Sequence, residues 1–427
     1  MELRTLADAE RYLNGLINLE RTREFNYERL GLGRIRALLD LVGRPEEGLP
    51  CVHIAGSKGK GSVALAVETI LIAAGQRVGT YTSPHLESWR ERFRIAAQPV
   101  AEEQLLSTLR ELRPAVERLR QDPQLRPSFF DVSTALGLLL FKTADVDAGV
   151  IEVGLGGRLD STNVVQPRAS VLTTVQLEHT DKLGTTLEEI AFEKAGILRA
   201  GVPLVCGVLS PGAAGTVVAR AVAADTPLEE VRARDVAQSE KGIRLCLPDG
   251  RELTSPVLGR HQADNLALAV RAAECFLGRG LSSGELRSLE TLRLPARIER
   301  FGNVILDCAH TPDSARALRE TLQEIWPERA WVLVVCISRD KDVASILSEL
   351  APPTRTAIIT RAERMRSADP ESLVPWARAA GIQQLDVCSD PHSAVKQARG
   401  LLGAEDMLVL TGSIYFAGEI RPHLMLE

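Results

Sequence analysis

A glycine-rich segment at residues 56–62 carries two lysines and two serines. The preceding residues 51–55 form a short apolar run typical of a buried strand, and residues 63–74 have the apolar spacing of a helix. At such a position the backbone N–H groups and the positive end of the helix can hold phosphate oxygens, and glycines let the backbone approach them. The strict pattern G-x-x-x-x-G-K-[ST] is not met, because Gly61 separates the lysine from the serine. We therefore predict a phosphate site, with a plain glycine-rich turn before a helix as the alternative.

Charged and hydroxyl side chains in this segment have expected roles in binding ATP. Lys60 would supply the point charge for the outer phosphates, and Ser62 a hydroxyl for the phosphates or for their Mg²⁺. The residues predicted to bind ATP here are Ser57, Lys58, Gly59, Lys60, Gly61 and Ser62.

Three further polar side chains follow the ends of predicted strands, namely Ser83, Glu152 and His179. A doubly wound sheet brings strand ends of this kind to one crevice. Mg²⁺ prefers oxygen ligands and keeps several waters, so a carboxylate, a hydroxyl and an imidazole suffice when ATP phosphates complete its shell. Each residue alone has an ordinary alternative, because Ser83 precedes a proline, His179 could cap a helix, and Glu152 could be a charge at a strand end.

The elements that must position these residues alternate between strands and helices, which is typical of an α/β protein. Strands are predicted at residues 51–55, 77–82, 148–153, 170–174, 203–206, 304–308, 331–337, 357–360, 384–388 and 407–411, with two short strands around a turn at 248–250. Helices are predicted at residues 30–41, 63–74, 102–120, 132–143, 187–198 and 263–277. We expect a doubly wound, mostly parallel ATPase domain at residues 1–291 and a smaller Rossmann-like α/β domain at residues 292–427.

Length and composition agree with two globular domains. At 427 residues the chain exceeds the size of one ordinary core, and 45% hydrophobic residues supply enough apolar material to bury. A net charge of −5 argues against a general nucleic-acid binder, which needs a basic surface. The seven cysteines form no Cys-x-x-Cys pair, which favours free thiols in a reducing compartment. No segment holds 18 uninterrupted apolar residues, so we expect no membrane contact and a cytoplasmic location.

The spacing of the phosphate segment resembles the nucleotide loop of the Mur ligase superfamily, and its surroundings are similar to one branch, folylpolyglutamate synthase and dihydrofolate synthase. The similar blocks occur in family order at residues 82–86, 151–163, 178–180, 183–184, 193–197, 261–262, 265, 307–310, 340–342 and 411–413. The resemblance implies an ATP-dependent ligase that activates a folate-type carboxylate as an acyl phosphate and joins it to L-glutamate, releasing ADP and phosphate.

The resemblance also implies roles for single residues. Ser83, Glu152 and His179 match the family's metal positions, and Lys194 matches an N6-carboxylysine whose added CO₂ lets it bind a second Mg²⁺. Without the family, Lys194 reads as a solvated charge in the middle of a helix. Asn265, Arg297 and Asp307 match ATP contacts, His310 a catalytic position, and Ser413 a position at the glutamate end. The folate positions are Ser128, Phe129, Phe130, Asp131, Leu159, Asp160 and Ser161, with core packing as the alternative for the two phenylalanines.

The expected ligands are ATP as co-substrate, two Mg²⁺ ions, L-glutamate, and dihydropteroate or a reduced folate; a monovalent cation is left open. We expect a monomer. The chain departs from the family's usual residues at Lys58, Ala296, Cys308 and Thr311.

From the resemblance we predict a bifunctional enzyme that adds L-glutamate to dihydropteroate and to reduced folates, and four alternatives for the function remain. They are polyglutamylation alone, a Mur-type amide ligase with another carboxylate substrate, a cell-wall Mur ligase, and a nucleotide-gated binding protein without ligation. A cell-wall Mur ligase is disfavoured, because a phosphate loop at residue 56 leaves no room for a nucleotide-sugar domain before it.

Overall fold

The computed structural model describes residues 3–17, 31–362 and 367–426, and these form two compact units. The first unit comprises Met1–Arg234, Cys246–Leu253 and Asp264–Leu292, and the second comprises Asp235–Leu245, Thr254–Ala263 and Arg293–Glu427. The predicted division into residues 1–291 and 292–427 stays a prediction, since two short segments before residue 264 cluster with the second unit.

An eight-stranded sheet forms the centre of the first unit, in the order β4-β3-β2-β5-β1-β6-β7-β8. Its strands are β1 (Cys51–Ala55), β2 (Val78–Tyr81), β3 (Phe93–Ile95), β4 (Gln98–Pro99), β5 (Ala148–Glu152), β6 (Ala169–Leu172), β7 (Leu204–Cys206) and β8 (Leu228–Glu230). In this order, each neighbouring pair in the run β2-β5-β1-β6-β7-β8 is parallel. At the other edge, β3 pairs antiparallel with β2 and with β4. The doubly wound, mostly parallel sheet is therefore confirmed.

Helices cover this sheet, as a parallel sheet requires. They are α1 (Leu6–Asn14), α2 (Gly33–Leu41), α3 (Lys60–Ala73), α4 (Glu102–Leu119), α5 (Phe129–Thr143), α6 (Thr180–Leu183), α7 (Leu187–Lys194) and α8 (Pro211–Ala223). One apolar cluster packs α1, α2, α4 and α5 through residues such as Leu38 and Leu136. A second cluster packs α7 and α8 through Ile190 and Val217.

A three-stranded sheet follows in the order β11-β10-β9, and two more helices come after it in the chain. Its strands are β9 (Arg234–Ser239), β10 (Gly242–Cys246) and β11 (Glu252–Ser255), and the helices are α9 (His261–Leu277) and α10 (Ser283–Arg287). The two strands predicted around residues 248–250 are confirmed. The sequence did not reveal β9, because it is exposed or half-buried throughout and lacks an apolar face.

The second unit contains a six-stranded sheet in the order β12-β13-β17-β14-β15-β16. Its strands are β12 (Glu299–Phe301), β13 (Val304–Leu306), β14 (Trp331–Val335), β15 (Thr354–Ile359), β16 (Gln384–Val387) and β17 (Met407–Thr411). Its helices are α11 (Pro312–Ile325), α12 (Val343–Leu350), α13 (Pro370–Ala379), α14 (Pro391–Gly400) and α15 (Ile414–Leu424). All strands but β12 are parallel, so a second α/β unit is confirmed.

Local hydrogen bonds explain where two predicted helix boundaries were wrong. α5 begins at Phe129 rather than at residue 132, because Ser128 and Asp131 form a reciprocal capping box before the apolar run. α7 ends at Lys194 and continues only as a 3₁₀ turn at Ala195–Ile197. Lys194 is therefore the last residue of its helix and not a residue in the middle. Within the described ranges, no helix is long and apolar enough to cross a membrane.

Gly79 in β2 offers a test of the packing under the sheet. A Cβ atom added there would lie 2.6 Å from Cδ1 of the buried Phe141 ring, so we expect Gly79→Ala to lower the free energy of unfolding by about 1–3 kcal/mol. Gly215 within α8 is the matched control, because a Cβ atom there meets nothing within 4 Å. Gly215→Ala should raise stability by about 0.5–1 kcal/mol. Urea denaturation measures both, and equal effects of the two changes would contradict the described packing.

Candidate active site

The glycine-rich segment forms a tight loop between β1 and α3. Gly59 precedes α3 with a φ of 86°, and Gly56 has a φ of 146°. A side chain at Gly56 would collide with Thr173, and one at Gly59 would collide with Asn265 of α9. Glycine is therefore required at both positions, and Asn265 lies against the loop as an ATP contact should. The first amides of α3 point out of the helix end, where an anion can accept their hydrogen bonds.

The chain after β6 holds this loop in place. The amide of Ser57 donates to the carbonyl of Thr174 at 2.8 Å, and the amide of Lys58 donates to the Thr174 hydroxyl at 2.9 Å. The Ser57 hydroxyl accepts from the amide of Gln176 at 2.9 Å. Lys60 lies back across the loop and donates from Nζ to the carbonyl of Gly56 at 2.9 Å. The loop is thus preformed, with a cation already positioned over it.

Ser83 and Glu152, two of the predicted metal ligands, are adjacent at the ends of β2 and β5. The amide of Ser83 donates to Oε2 of Glu152 at 3.1 Å. The same carboxylate reaches the first turn of α3, since a Cβ atom on Gly61 would lie 3.8 Å from Oε2. Glu152 is only 5% exposed. A buried carboxylate therefore faces the end of the phosphate loop.

A second carboxylate, the half-buried Glu178, lies between two lysines. Its Oε1 is 3.3 Å from Nζ of Lys194, and its Oε2 is 3.5 Å from Nζ of Lys58. Burial alone would raise the pKa of Glu178, but Lys194, Lys60 and Lys58 hold it below the usual value. Glu178 was not among the predicted site residues. Its one signal in the sequence is its position directly before His179, in a block similar to the family.

The pKa values of Lys194 and His179 are both lowered, although Lys194 is buried and His179 is an exposed residue. Lys194 is 2% exposed, so its interpretation as a solvated surface charge is wrong. Desolvation, reinforced by Lys60, lowers the pKa of Lys194 to about 8. Desolvation also lowers the pKa of His179 to about 4, although Glu178 opposes the shift. At pH 7 His179 is therefore neutral and has a ring nitrogen available as a ligand.

The donor set fits Mg²⁺ better than a metal held by protein alone. In the described part of the chain, no three His, Cys, Asp or Glu side chains are grouped so that they could hold an ion. Ser83 and Glu152, which are adjacent, offer a hydroxyl and a carboxylate as a partial shell, and the imidazole of His179 remains the predicted third ligand. Mg²⁺ commonly completes such a shell with water and phosphate oxygens.

Hydrogen bonds join the two segments predicted to contact folate. Asp131 accepts from the amide and hydroxyl of Ser128 at 2.8 and 2.7 Å through Oδ2, and from the Ser161 hydroxyl at 2.7 Å through Oδ1. All three residues are buried. The expected acceptor for the amino hydrogens of a pterin is therefore already engaged within the protein. Ser161 belongs to one predicted folate segment and is held by a hydrogen bond to Asp131 of the other, so its position depends on both.

The aromatic and loop residues of the folate prediction have different surroundings. Phe129 is 6% exposed and lies in the core with the Arg92 guanidinium 5.2 Å above its ring, so core packing describes Phe129 better than ligand stacking. Phe130 is half-buried against Gly154. Leu159 is half-buried and packs on the core near α7.

Asp160 accepts the amides of Leu155 and Thr162 at 2.9 and 3.0 Å. Burial raises the pKa of Asp160 to about 6.

The loop that contains Asp160 and Ser161 runs past the end of α7. The amide of Arg158 donates to the carbonyl of Glu193 at 2.9 Å, and the two side chains form an ion pair at 2.8 Å. A Cβ atom on Gly157 would lie 2.8 Å from the carbonyl oxygen of Lys194. The predicted folate loop therefore lies directly beside the lysine that the family resemblance marked for carboxylation.

Four predicted site residues lie in the second unit. Asp307, His310 and Ser413 follow the adjacent strands β13 and β17, and Arg297 precedes β12. Asp307 accepts from the amides of Ile298 and Ala309 at 2.8 and 2.7 Å, and burial raises its pKa. Nδ1 of His310 is 2.9 Å from the carbonyl oxygen of Cys308. Ser413 caps α15 by accepting from the amide of Tyr415 at 3.2 Å. Arg297 contacts the sulfur of Cys308 through its guanidinium.

The departures from the family's usual residues have local explanations. Lys58 pairs with Glu178. Ala296 has a φ of 50°, a left-handed conformation in which glycine is the easier residue. Thr311 caps α11 together with Ser314.

Comparison with known proteins identifies the group to which this chain belongs. Residues 127–273 match the Mur ligase middle domain, and residues 296–414 match the Mur ligase glutamate ligase domain. A dihydrofolate synthase/folylpolyglutamate synthase from Mycobacterium tuberculosis is 34% identical over 91% of this chain and 89% of its own length. The relative of the same name from Bacillus subtilis is 31% identical over 92% of this chain and 95% of its own length. This chain belongs to the dihydrofolate synthase/folylpolyglutamate synthase family.

Solved structures of the dihydrofolate synthase/folylpolyglutamate synthase family have the same fold. Mycobacterium tuberculosis folylpolyglutamate synthase, complexed with ADP and AMPPCP, superposes with a TM-score of 0.88 at 33% identity and covers 98% of each chain. Escherichia coli FolC in complex with DHPP and ADP superposes with a TM-score of 0.84 at 27% identity, over 100% of this chain and 99% of that chain. The predicted family and two-domain α/β fold are confirmed, and the chain is an ATP-dependent ligase.

Proposed function

We propose that this ligase joins L-glutamate both to dihydropteroate and to reduced folates. One observation supports the proposal: the end of the phosphate loop and the Glu152 carboxylate lie next to each other at one edge of the sheet. The loop that contains Asp160 and Ser161 follows the same strand as Glu152. The similar proteins from Mycobacterium tuberculosis and Bacillus subtilis, matched over nearly their whole length, carry both activities in their names. A relative from Lacticaseibacillus casei, 32% identical, is named folylpolyglutamate synthase alone, so polyglutamylation without the first addition is the second candidate.

The chemical problem is that a carboxylate is a poor acyl donor at neutral pH. We propose that a carboxylate oxygen of the folate substrate attacks the γ-phosphorus of ATP, forming an acyl phosphate and releasing ADP. The amine of glutamate then attacks the acyl carbon, loses a proton, and displaces phosphate. The loop amides and Lys60 hold the phosphates and offset charge on the transferred group. Their role is positioning and electrostatic, since the reacting groups come from the substrates.

Ser83, Glu152 and His179 would hold Mg²⁺ beside the phosphates. When bound, the ion supplies Lewis-acid charge that lowers the cost of bringing two anions together. Asn265, in the first unit, would bind ATP together with the loop. Arg297 and Asp307, in the second unit, are proposed as further ATP contacts. His310 and Ser413 would serve the glutamate end. These assignments rest on the family positions and on the placement of Asn265 against Gly59.

Lys194 is proposed to react with CO₂. Its neutral Nζ attacks the carbon, an N–C bond forms, and a proton is released, which leaves a carbamate anion able to bind a second Mg²⁺. A pKa of about 8 supports this reaction, because roughly a tenth of the amine is then neutral at pH 7, against fewer than about one in a thousand for an ordinary lysine. We further propose a cytoplasmic monomer, in keeping with seven free cysteines.

The substrate range is tested by ADP release from purified protein with ATP, Mg²⁺ and L-glutamate. We expect glutamate-dependent ADP release with dihydropteroate and with tetrahydrofolate. Folic acid lacking ring reduction is the matched control and should support little turnover. Release with tetrahydrofolate alone would remove the dihydrofolate synthase activity from the proposal and leave polyglutamylation.

Lys60 tests the role of the phosphate loop. The Lys60 ammonium donates to the carbonyl of Gly56 within the loop and does not pack in the core. Lys60→Ala should therefore leave the melting temperature nearly unchanged. We expect a loss of about 10²-fold or more in kcat, since a charge contact to the transferring phosphoryl group is removed. Lys396→Ala, at an exposed lysine of α14, is the matched control and should keep full activity. An unchanged rate in the Lys60 variant would contradict the assignment.

The carbamate is tested by ¹³C NMR with ¹³CO₂ held at a fixed dissolved concentration. Because the neutral amine is the reactive form, the carbamate signal should rise between pH 7 and pH 9, through the lowered pKa of Lys194.

Lys194→Arg should lack the carbamate signal, and Lys241→Arg, at an exposed lysine, should retain it. Lys194→Ala should lose activity and regain part of it with added short carboxylates. Full activity of the alanine variant without additives would end the carbamate hypothesis.

A further inference from the structure

His53 is an unexpected residue for the centre of a parallel sheet. It lies in the middle of β1, 0% exposed, between Ile151 of β5 and Ser170 of β6. Strands buried on both faces usually carry apolar side chains throughout. Within the described residues Nδ1 of the ring has no hydrogen-bond partner, which costs stability that an apolar residue would not. Any stabilising hydrogen bond of this imidazole must therefore be made by its other nitrogen, Nε2.

The other nitrogen reaches the proposed folate loop. Nε2 of His53 is 2.9 Å from the hydroxyl of Thr162, and that hydroxyl is 2.5 Å from Oδ1 of Asp160. The Thr162 hydroxyl has one proton, which it donates to the carboxylate, so it must accept from His53. This fixes the proton of the neutral imidazole on Nε2. The result is a buried relay of two hydrogen bonds, in which His53 donates to Thr162 and Thr162 donates to Asp160.

Asp160 holds both ends of the segment from Leu155 to Thr162 by accepting hydrogen bonds from their amides. Oδ1 accepts the amide of Thr162 at 3.0 Å, and Oδ2 accepts the amide of Leu155 at 2.9 Å. Ser161, between Asp160 and Thr162, donates to Asp131 at 2.7 Å. The shape of the segment from Leu155 to Ser161 therefore depends on one carboxylate. That carboxylate is tied, through Thr162 and His53, to the strand whose end becomes the phosphate loop.

We propose that His53 and Thr162 are positioning residues that set the geometry of the folate side of the site. The proposal rests on the proposed function, because it assumes that Ser161 and its neighbours contact the folate substrate. Neither His53 nor Thr162 can touch a substrate, since both are fully buried. They act through Asp160 and Ser161. Loss of the relay should impair folate binding far more than ATP binding.

Thr162→Val and Thr162→Ser form the first matched pair. Valine keeps the shape of threonine and removes the hydroxyl, while serine keeps the hydroxyl. We expect Thr162→Val to raise the KM for tetrahydrofolate by about tenfold, the effect of leaving a buried partner unsatisfied, with little change in the KM for ATP. Thr162→Ser should restore most of the loss. A residue with only a structural role would lower the melting temperature and leave the ratio of the two KM values unchanged.

His53→Leu and His53→Gln form the second pair, which serves if a Thr162 variant fails to fold. The glutamine amide can donate from nearly the position of Nε2, so His53→Gln should resemble the wild type. His53→Leu leaves the bond from Thr162 to Asp160 in place, so it should raise the KM for tetrahydrofolate less than Thr162→Val, which removes both bonds. The double variant His53→Leu/Thr162→Val should show a KM for tetrahydrofolate no worse than that of Thr162→Val, because that change already removes the bond to His53.

The outcomes separate this inference from the proposed function. Wild-type protein that releases no ADP in response to dihydropteroate or tetrahydrofolate would overturn the proposed function before any variant is made. An active wild type with variants whose two KM values change in parallel, or with Thr162→Ser as impaired as Thr162→Val, would overturn the positioning role alone. A selective rise in the KM for tetrahydrofolate with rescue by serine or glutamine supports it.

Discussion

Hydrogen bonding of β1 on both of its edges, to β5 and to β6, is the constraint on which the candidate site depends. Parallel strands end at the same edge of a sheet, so the groups that follow these three strands must meet there. The phosphate loop follows β1, Glu152 closes β5, and the segment that anchors the loop and carries Glu178 follows β6. A one-residue slip of β1 against either neighbour would turn its side chains to the opposite face and separate these groups.

Charge balance is the second requirement at this edge. Lys58, Lys60 and Lys194 stand close together, and two of their ammonium groups share Glu178. Without an anion the cluster would repel itself, and the depressed pKa of Lys194 records that cost together with burial. A bound nucleotide brings negative charge that Lys58 and Lys60 can accept, and the proposed carbamate removes the positive charge of Lys194. Glu178 offsets the lysine charges while neither of these is present.

Local features of the sequence were predictable, and contacts between distant segments were not. The glycine-rich loop between a strand and a helix and the mostly parallel sheet were predicted correctly, because glycine spacing and apolar runs are local signals. The burial of Lys194 depends on Glu178 and on the loop near Gly157, which no local pattern reveals. Phe129 lies in the core because Ser128 starts α5 three residues earlier than its apolar spacing indicates. Polar residues of β9 gave no strand signal, since that strand buries no apolar face.

The division of the chain between its two compact units has a consequence for synthesis on the ribosome. Asp235–Leu245 and Thr254–Ala263 belong to the second unit, yet both emerge before the bulk of that unit, Arg293–Glu427. At ordinary rates of translation they wait on the order of ten seconds for their partners. During that interval the first unit can be completed, because its last residue is Leu292, but the second unit cannot. Ile243 and Leu245 of β10 are buried in the folded protein and therefore lack part of their packing partners until the rest of the second unit has been synthesised.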